Sequence, residues 1–182
     1  AARTRESIAR TEDRQHRFNS GPTDKNLSPE PGTSTKDSQT AHIATIGGSG
    51  EKGFGGDGRS LSGAIFNNPR RIRFDNTGNL YIADTGNHRI RMVDANTNII
   101  TTIAGNGSRG FSGDGGSAMG AKLKHPEGIA IDEEGNIYIA DTGNHRIRKV
   151  KPLFTSIIET IAGNGLAGNS DEEKLALETK IF

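Results

Sequence analysis

The sequence predicts an all-β fold of repeated four-stranded antiparallel sheets, the blades of a β-propeller. Three observations carry this. The eleven residues YIADTGNHRIR run from Tyr81 to Arg91 and again from Tyr138 to Arg148, an offset of 57 residues that also maps Phe54 on Phe111, Asp57 on Asp114 and Pro69 on Pro126. A fixed period of this size marks a propeller, a solenoid or an array. Within each unit the apolar residues alternate with period two, the pattern of half-buried strands. Glycine contributes 25 of the 182 residues, roughly twice its usual share, and only 31% of residues are hydrophobic, so the folded units are sheet and turn rather than helix.

Residues 1–40 come first and read as a disordered polar segment. Their large apolar residues are Ile8, Phe18 and Leu27, too few to offset the entropy of ordering the chain. Residues 41–66 read as the last strand of a preceding blade, at 42–46, followed by a glycine-rich loop. Residues 67–123 form one repeat with its loop, and residues 124–182 a second repeat with the start of another loop.

Inside a repeat, RIRFD or GIAID forms the first strand, DNTGN or DEEGN the turn, and NLYIAD or NIYIAD the second strand. TGN makes another tight turn, in which Gly86 or Gly143 is expected to take a positive φ. HRIRMV or HRIRKV and then NIITTIAG or SIIETIAG complete four short strands, one propeller blade.

The composition excludes several classes. Without cysteine there is no disulfide framework and no thiolate chemistry. A net charge of +1 exerts no general pull on nucleic acid or membrane. No apolar run approaches the roughly 18 residues of a membrane span. The chain opens on Ala1 and enters a third copy that stops at Phe182, so it is expected to be cut from a longer protein, with an extracellular or cell-envelope location favoured. Two blades leave faces uncovered, so further blades or self-association are expected to complete the fold. Ile72, Phe74, Ile129 and Ile131 are expected to stand on exposed faces.

The order Pro-x-Gly-Ile-Ala-Ile-Asp, Gly-Asn-Ile-Tyr-Ile-Ala-Asp and Gly-Asn-His-Arg-Ile-Arg over residues 126–148 resembles the NHL repeat. The loops GEKGFGGDGRSLSGAIFNNP and GSRGFSGDGGSAMGAKLKHP resemble those of bacterial NHL arrays. The resemblance implies a propeller, commonly six-bladed, that most often binds a protein, peptide or glycan without catalysis. It also implies two alternatives: a lyase acting on an acidic polysaccharide or a peptide-derived substrate, and RNA binding. The near-neutral charge and the lack of interleaved exposed aromatics place RNA last.

Chemistry-bearing residues fall into four sets. Asp84 and Asp141 end the second strand, where each can accept turn amides or pair with an arginine of the next strand. In an up-and-down blade, DTGNH and the long glycine loops emerge on one face, and long loops on a rigid scaffold commonly carry binding. That topology nominates Asp57, Arg59, Arg109, Phe111 and Asp114 as binding residues, with GDG as an inter-blade packing loop the alternative. Arg71 and Arg73 stand where the second repeat has Gly128 and Ala130; they either hold a carboxylated ligand in the channel or mark a solvated edge. For a lyase, the acid–base and carboxylate-binding candidates are Tyr81, Tyr138, His125 and Arg71. No metal and no cofactor is expected. His88 and His145 lie one blade apart, DNTGN lacks the glycine and distal glutamate of a calcium loop, and GFGGDG lacks the Lys-Ser/Thr of a phosphate loop.

Overall fold

A computed structural model describes residues 42–151 and 156–168. The polar segment 1–40 and the stretch after residue 168 lie outside the described residues. Nine strands follow in order: β1 (Arg59–Ser60), β2 (Pro69–Phe74), β3 (Leu80–Asp84), β4 (Arg89–Val93), β5 (Ile99–Ala104), β6 (Gly128–Ile131), β7 (Ile137–Asp141), β8 (Arg146–Lys151) and β9 (Ile157–Ala162). Strands β2 to β5 form one antiparallel sheet in sequence order, with the short β1 added outside β5, and β6 to β9 form the second. Each sheet is a four-stranded blade, as the alternation predicts.

The first hairpin of each blade is closed by an aspartate. Asp75 Oδ1 accepts the Thr77 and Asn79 backbone N–H groups at 2.9 Å, and Gly78 supplies the left-handed residue at φ 86°. Asp132 repeats this with Glu134 and Asn136. The second turn differs from the expectation. Gly86 and Gly143 do not take positive φ; the left-handed residues are His88 at φ 56° and His145 at φ 50°. Glycine is required for close approach instead: a Cβ on Gly86 would lie 2.5 Å from the Asn67 side chain, and one on Gly143 2.6 Å from the Lys124 carbonyl.

Register assigns the faces. Ile72 opposes Ile82 and Phe74 opposes Leu80 in the first sheet; Ile129 opposes Ile139 and Ile131 opposes Ile137 in the second. The other face of β3, with Tyr81 and Ala83, joins Ile90 and Ala104 in packing on Ile129, Ile137, Ile139, Val150 and Ile158. Ala118, Ala121 and Leu123 of the long loop belong to the same core, so the loop is a wedge between blades. One repeat earlier, Leu61, Ala64 and Phe66 cover Leu80, Ile82, Val93 and Ile100.

Two further expectations are revised. Ile129 is only 5% exposed and Ile131 half-buried, because the first blade covers them; Ile72 and Phe74 remain exposed at 51% and 57%. Residues 42–46 form no strand, for a blade's last strand is held by its third, and among the described residues no such strand lies beside them.

Ile72 and Ile129 hold the same place in their repeats, so their truncation isolates the effect of blade stacking. Ile129→Ala is expected to cost about 2–5 kcal/mol in urea unfolding and Ile72→Ala less than about 1 kcal/mol. Equal costs would show that blade stacking does not bury this position.

Candidate functional site

The loop face is built around an arginine with no access to water. Arg91 points from β4 toward the end of β3 and the loop before the blade. Its Nη1 reaches Asp84 Oδ2 at 3.3 Å, and its Nε and Nη2 reach Asp57 Oδ1 at 3.0 and 2.7 Å. Nη2 also donates to the Gly55 carbonyl at 3.0 Å, while Asp57 Oδ2 accepts Thr102 Oγ1 at 2.7 Å. Asp84 further accepts the Asn67 N–H and the Asn87 amide, and Asn87 donates to the Gly53 carbonyl. Arg89 lies over the Phe54 ring at 3.7 Å. Charged hydrogen bonds of this kind are short and roughly twice as strong as neutral ones, and here they tie the loop to the blade.

The second repeat has the same lock with one loosening. Arg148 Nη2 meets Asp114 Oδ1 at 2.7 Å, Thr160 donates to Asp114 Oδ2, and Arg146 lies over Phe111 at 3.8 Å. Arg148 Nη1 stands 3.5 Å from Asp141, and both Nη1 and Nε lack a hydrogen-bond partner among the described residues. Burial pushes the Asp141 carboxyl above its ordinary range, against the bonds from Lys124, Asn144 and Arg148 that lower it.

The nominated residues therefore separate. Asp57, Asp114 and Phe111 sit within the locks. Arg59 lies apart, on the outer rim, where β1 pairs with the start of β5 at Ile100. Arg109 is exposed beside Leu123 and has no hydrogen-bond or ion-pair partner among the described residues. Arg71 and Arg73 are exposed on β2; Arg73 donates to the Ile72 carbonyl at 3.2 Å.

The four lyase candidates are not brought together. Tyr81 and Tyr138 donate to Asp75 and Asp132 at 3.1 and 3.0 Å, at the turn end of their blades. Burial, then the charge and hydrogen bond of Asp75, push the Tyr81 phenol up to about 12. His125 precedes the other end of β6, on the loop face, so the whole four-residue strand, about 13 Å long, lies between it and Asp132. Its backbone N–H donates to His88 Nδ1 at 3.2 Å, and the two rings meet edge to face at 4.7 Å. This histidine contact across the blade seam is a feature that sequence reading missed. The 57-residue register could not signal it, because His125 replaces Asn68.

Stacked four-stranded sheets wound in this order are propeller blades. The family model for the NHL repeat matches residues 66–91 and 123–150. Both blades are NHL repeats. NHL repeat-containing protein 2 of Gallus gallus is 40% identical over 105 residues, 57% of this chain and 14% of that protein. Protein SUPPRESSOR OF QUENCHING 1, chloroplastic, of Arabidopsis thaliana is 37% identical over 86 residues, 47% of this chain and 8% of that protein. The chain thus spans a small part of the length of these relatives. Among solved structures, a structural genomics protein of unknown function from Bacteroides thetaiotaomicron VPI-5482 shares the fold with a TM-score of 0.54 at 24% identity, covering 66% of this chain and 30% of that one. No helix among the described residues is long and apolar enough to cross a membrane.

Two outcomes test the site. Asp84→Ala removes a fully buried carboxylate and leaves Arg91 Nη1 unpaired, and is expected to cost about 3–5 kcal/mol, whereas Asp57→Ala, at a carboxylate partly open to water, is expected to cost about 1–3 kcal/mol; chemical denaturation giving the reverse order would disprove the lock.

His88 can accept the His125 N–H only while neutral. Burial, then the charges of His125, Arg109 and Arg89, hold its pKa below the ordinary histidine range, opposed by a bond to the Thr85 backbone. The unfolded chain therefore takes up this proton first as pH falls below about 6.5. Stability should be full above that value and decline below it. Thermal melts between about pH 7 and pH 5 should fall more steeply for the native chain than for His88→Asn, which keeps the left-handed backbone without titrating. Parallel profiles would remove His88 from the pH response.

Proposed function

We propose that this chain is part of a noncatalytic NHL-repeat scaffold that binds an acidic protein, peptide or glycan through its loop face. The observation that supports this most is the division of labour among the loop residues. Asp57, Asp114 and Phe111 hold the loops rigid, while Arg109 stands exposed and unpaired among the described residues beside the His88–His125 contact. A fixed cation on a pre-organised surface loses little entropy when it meets a carboxylate. Arg71 and Arg73 on the inner strand are a second exposed set of cations. The tyrosine hydroxyls that a lyase would use are engaged by aspartates at the opposite turns.

Calorimetric titration with polyglutamate and with polygalacturonate tests the reading. Arg109→Ala is expected to weaken binding by roughly 1.5–3 kcal/mol, and Arg59→Ala on the rim to leave it unchanged. Loss of binding through Arg71→Gly with Arg73→Ala alone would move the site to the inner strand. Formation of an unsaturated uronate product would replace the scaffold reading with the lyase, and failure of both polymers to bind would count against an acidic partner.

A further inference from the structure

The seam on the loop face holds an imidazole whose tautomer is set by the backbone. The His125 N–H donates to His88 Nδ1 at 3.2 Å, and a ring nitrogen that accepts an N–H carries no proton of its own. Neutral His88 therefore keeps its proton on Nε2. The Thr85 carbonyl already accepts the His88 main-chain N–H at 3.2 Å, and no hydrogen bond reaches Nε2 among the described residues. The ring is half-buried and packed edge to face on His125 at 4.7 Å, which holds this donor in place. The first repeat has Asn68 where the second has His125, in the same left-handed backbone at φ 52° beside 49°. The backbone path is common to both repeats, and the histidine pair belongs to this seam.

A cation stands beside the donor. Arg109 bridges to Leu123, which leads through Lys124 to His125, and the Gly110 N–H fixes the pairing by donating to the Leu123 carbonyl at 3.2 Å. The other charges around the seam are engaged. Arg89 donates to the Asn87 and Asn106 carbonyls at 3.1 and 2.9 Å, Asp84 pairs with Arg91, and Glu127 faces Arg70 at 3.9 Å. The stems of Lys122 and Lys124 lie along Gly110 and Gly143.

We infer that Arg109 and the Nε2–H of His88 together hold one carboxylate of an acidic peptide segment, an Asp or Glu side chain, with His125 as a positioning residue acting through its backbone N–H. This rests on the loop-face reading above and narrows it to a chemical group. One free cation with one neutral donor matches the single charge of a carboxylate, whereas a phosphate dianion would keep a charge unanswered. Phe54 and Phe111, the aromatic rings of the long loops, are each covered by an arginine at 3.7 and 3.8 Å. Neither offers the open face on which the C–H side of a sugar ring would lie, so the peptide carboxylate is favoured over a uronate.

The full chain, labelled with 15N in its histidines, is the sample. Without ligand, His88 should carry its proton on Nε2, and His125→Asn, which keeps the backbone donor, should leave that tautomer in place. Polyglutamate should shift the His88 Nε2 signal saturably. His88→Asn, which keeps the left-handed backbone and ends short of Nε2, should bind polyglutamate about tenfold more weakly. Inorganic phosphate should displace the polymer no better than acetate at equal ionic strength. A proton on Nδ1, or a changed tautomer in His125→Asn, overturns the inference. So does an unmoved Nε2 signal with equal binding by His88→Asn; the loop-face reading then stands on Arg109 alone. Tighter binding of polygalacturonate than of polyglutamate overturns the peptide as source, and preferential displacement by phosphate overturns the carboxylate. Failure of both polymers to bind overturns this inference and the loop-face reading together.

Discussion

A guanidinium buried away from water must be met by oxygens on all sides, and each repeat is organised by that demand. Arg91 and Arg148 are fully buried. Arg91 joins three pieces of chain that are distant in sequence: the loop through Asp57 and the Gly55 carbonyl, the second strand through Asp84, and the third strand that carries it. Desolvating such a pair costs several kcal/mol per ion, so an apolar replacement of the whole cluster would not be weaker in principle. What the cluster forbids is change of one member at a time. The identity of eleven consecutive residues in both repeats follows from this. Asp84, Asn87, Arg89 and Arg91 each hold a partner in the lock, and the apolar residues between them fill the blade core.

Much of this was legible in the sequence. Period-two alternation placed all eight blade strands, and hairpin register put Asp84 on the same edge as the arginines that follow it. Asp57 was legible as a loop residue but not as a lock residue. It meets Arg91 across 34 positions of chain, through a loop whose path depends on Gly56 at φ 87° and on the turn at Leu61–Gly63. Gly86 shows another limit. A glycine in a tight turn signals either a left-handed backbone or a close neighbour, and the letter does not separate them; the neighbour is Asn67. Ile72 and Ile129 show a third, since identical residues at identical positions differ in burial according to what stands beside the blade.

The His88–His125 contact shows how the seam between blades acquires properties that neither blade has alone. Both residues occupy left-handed backbone, at φ 56° and 49°, which histidine tolerates better than a β-branched residue would. One ring accepts the other residue's N–H, so the seam is held by a group that loses this acceptor when it takes up a proton. The apolar contacts of the inter-blade core carry no such dependence. The seam is therefore one part of the described structure whose hydrogen bonding responds to acid, and it lies on the face that carries the exposed Arg109.

Two copies within one chain separate structural from adaptable positions without any other sequence. Where the lock uses a side chain, the copies agree: Phe54 with Phe111, Asp57 with Asp114, Asp84 with Asp141, Arg91 with Arg148. Where it uses only a backbone carbonyl, the side chain is free to drift, as at Gly55 and Ser112, which both accept from the buried arginine. Core positions change between similar apolar residues, as Leu80 to Ile137, and several polar differences lie outside the lock: Glu51 against Ser108, Lys52 against Arg109, Asn68 against His125, Arg71 against Gly128, Arg73 against Ala130. Apart from His125 and Gly128, which are half-buried, the residues at these polar differences are exposed. They lie at the start of the long loop, at the seam, or on the innermost strand. The lock thus fixes the side chains that hold loop to blade and leaves these positions free to vary from one blade to the next.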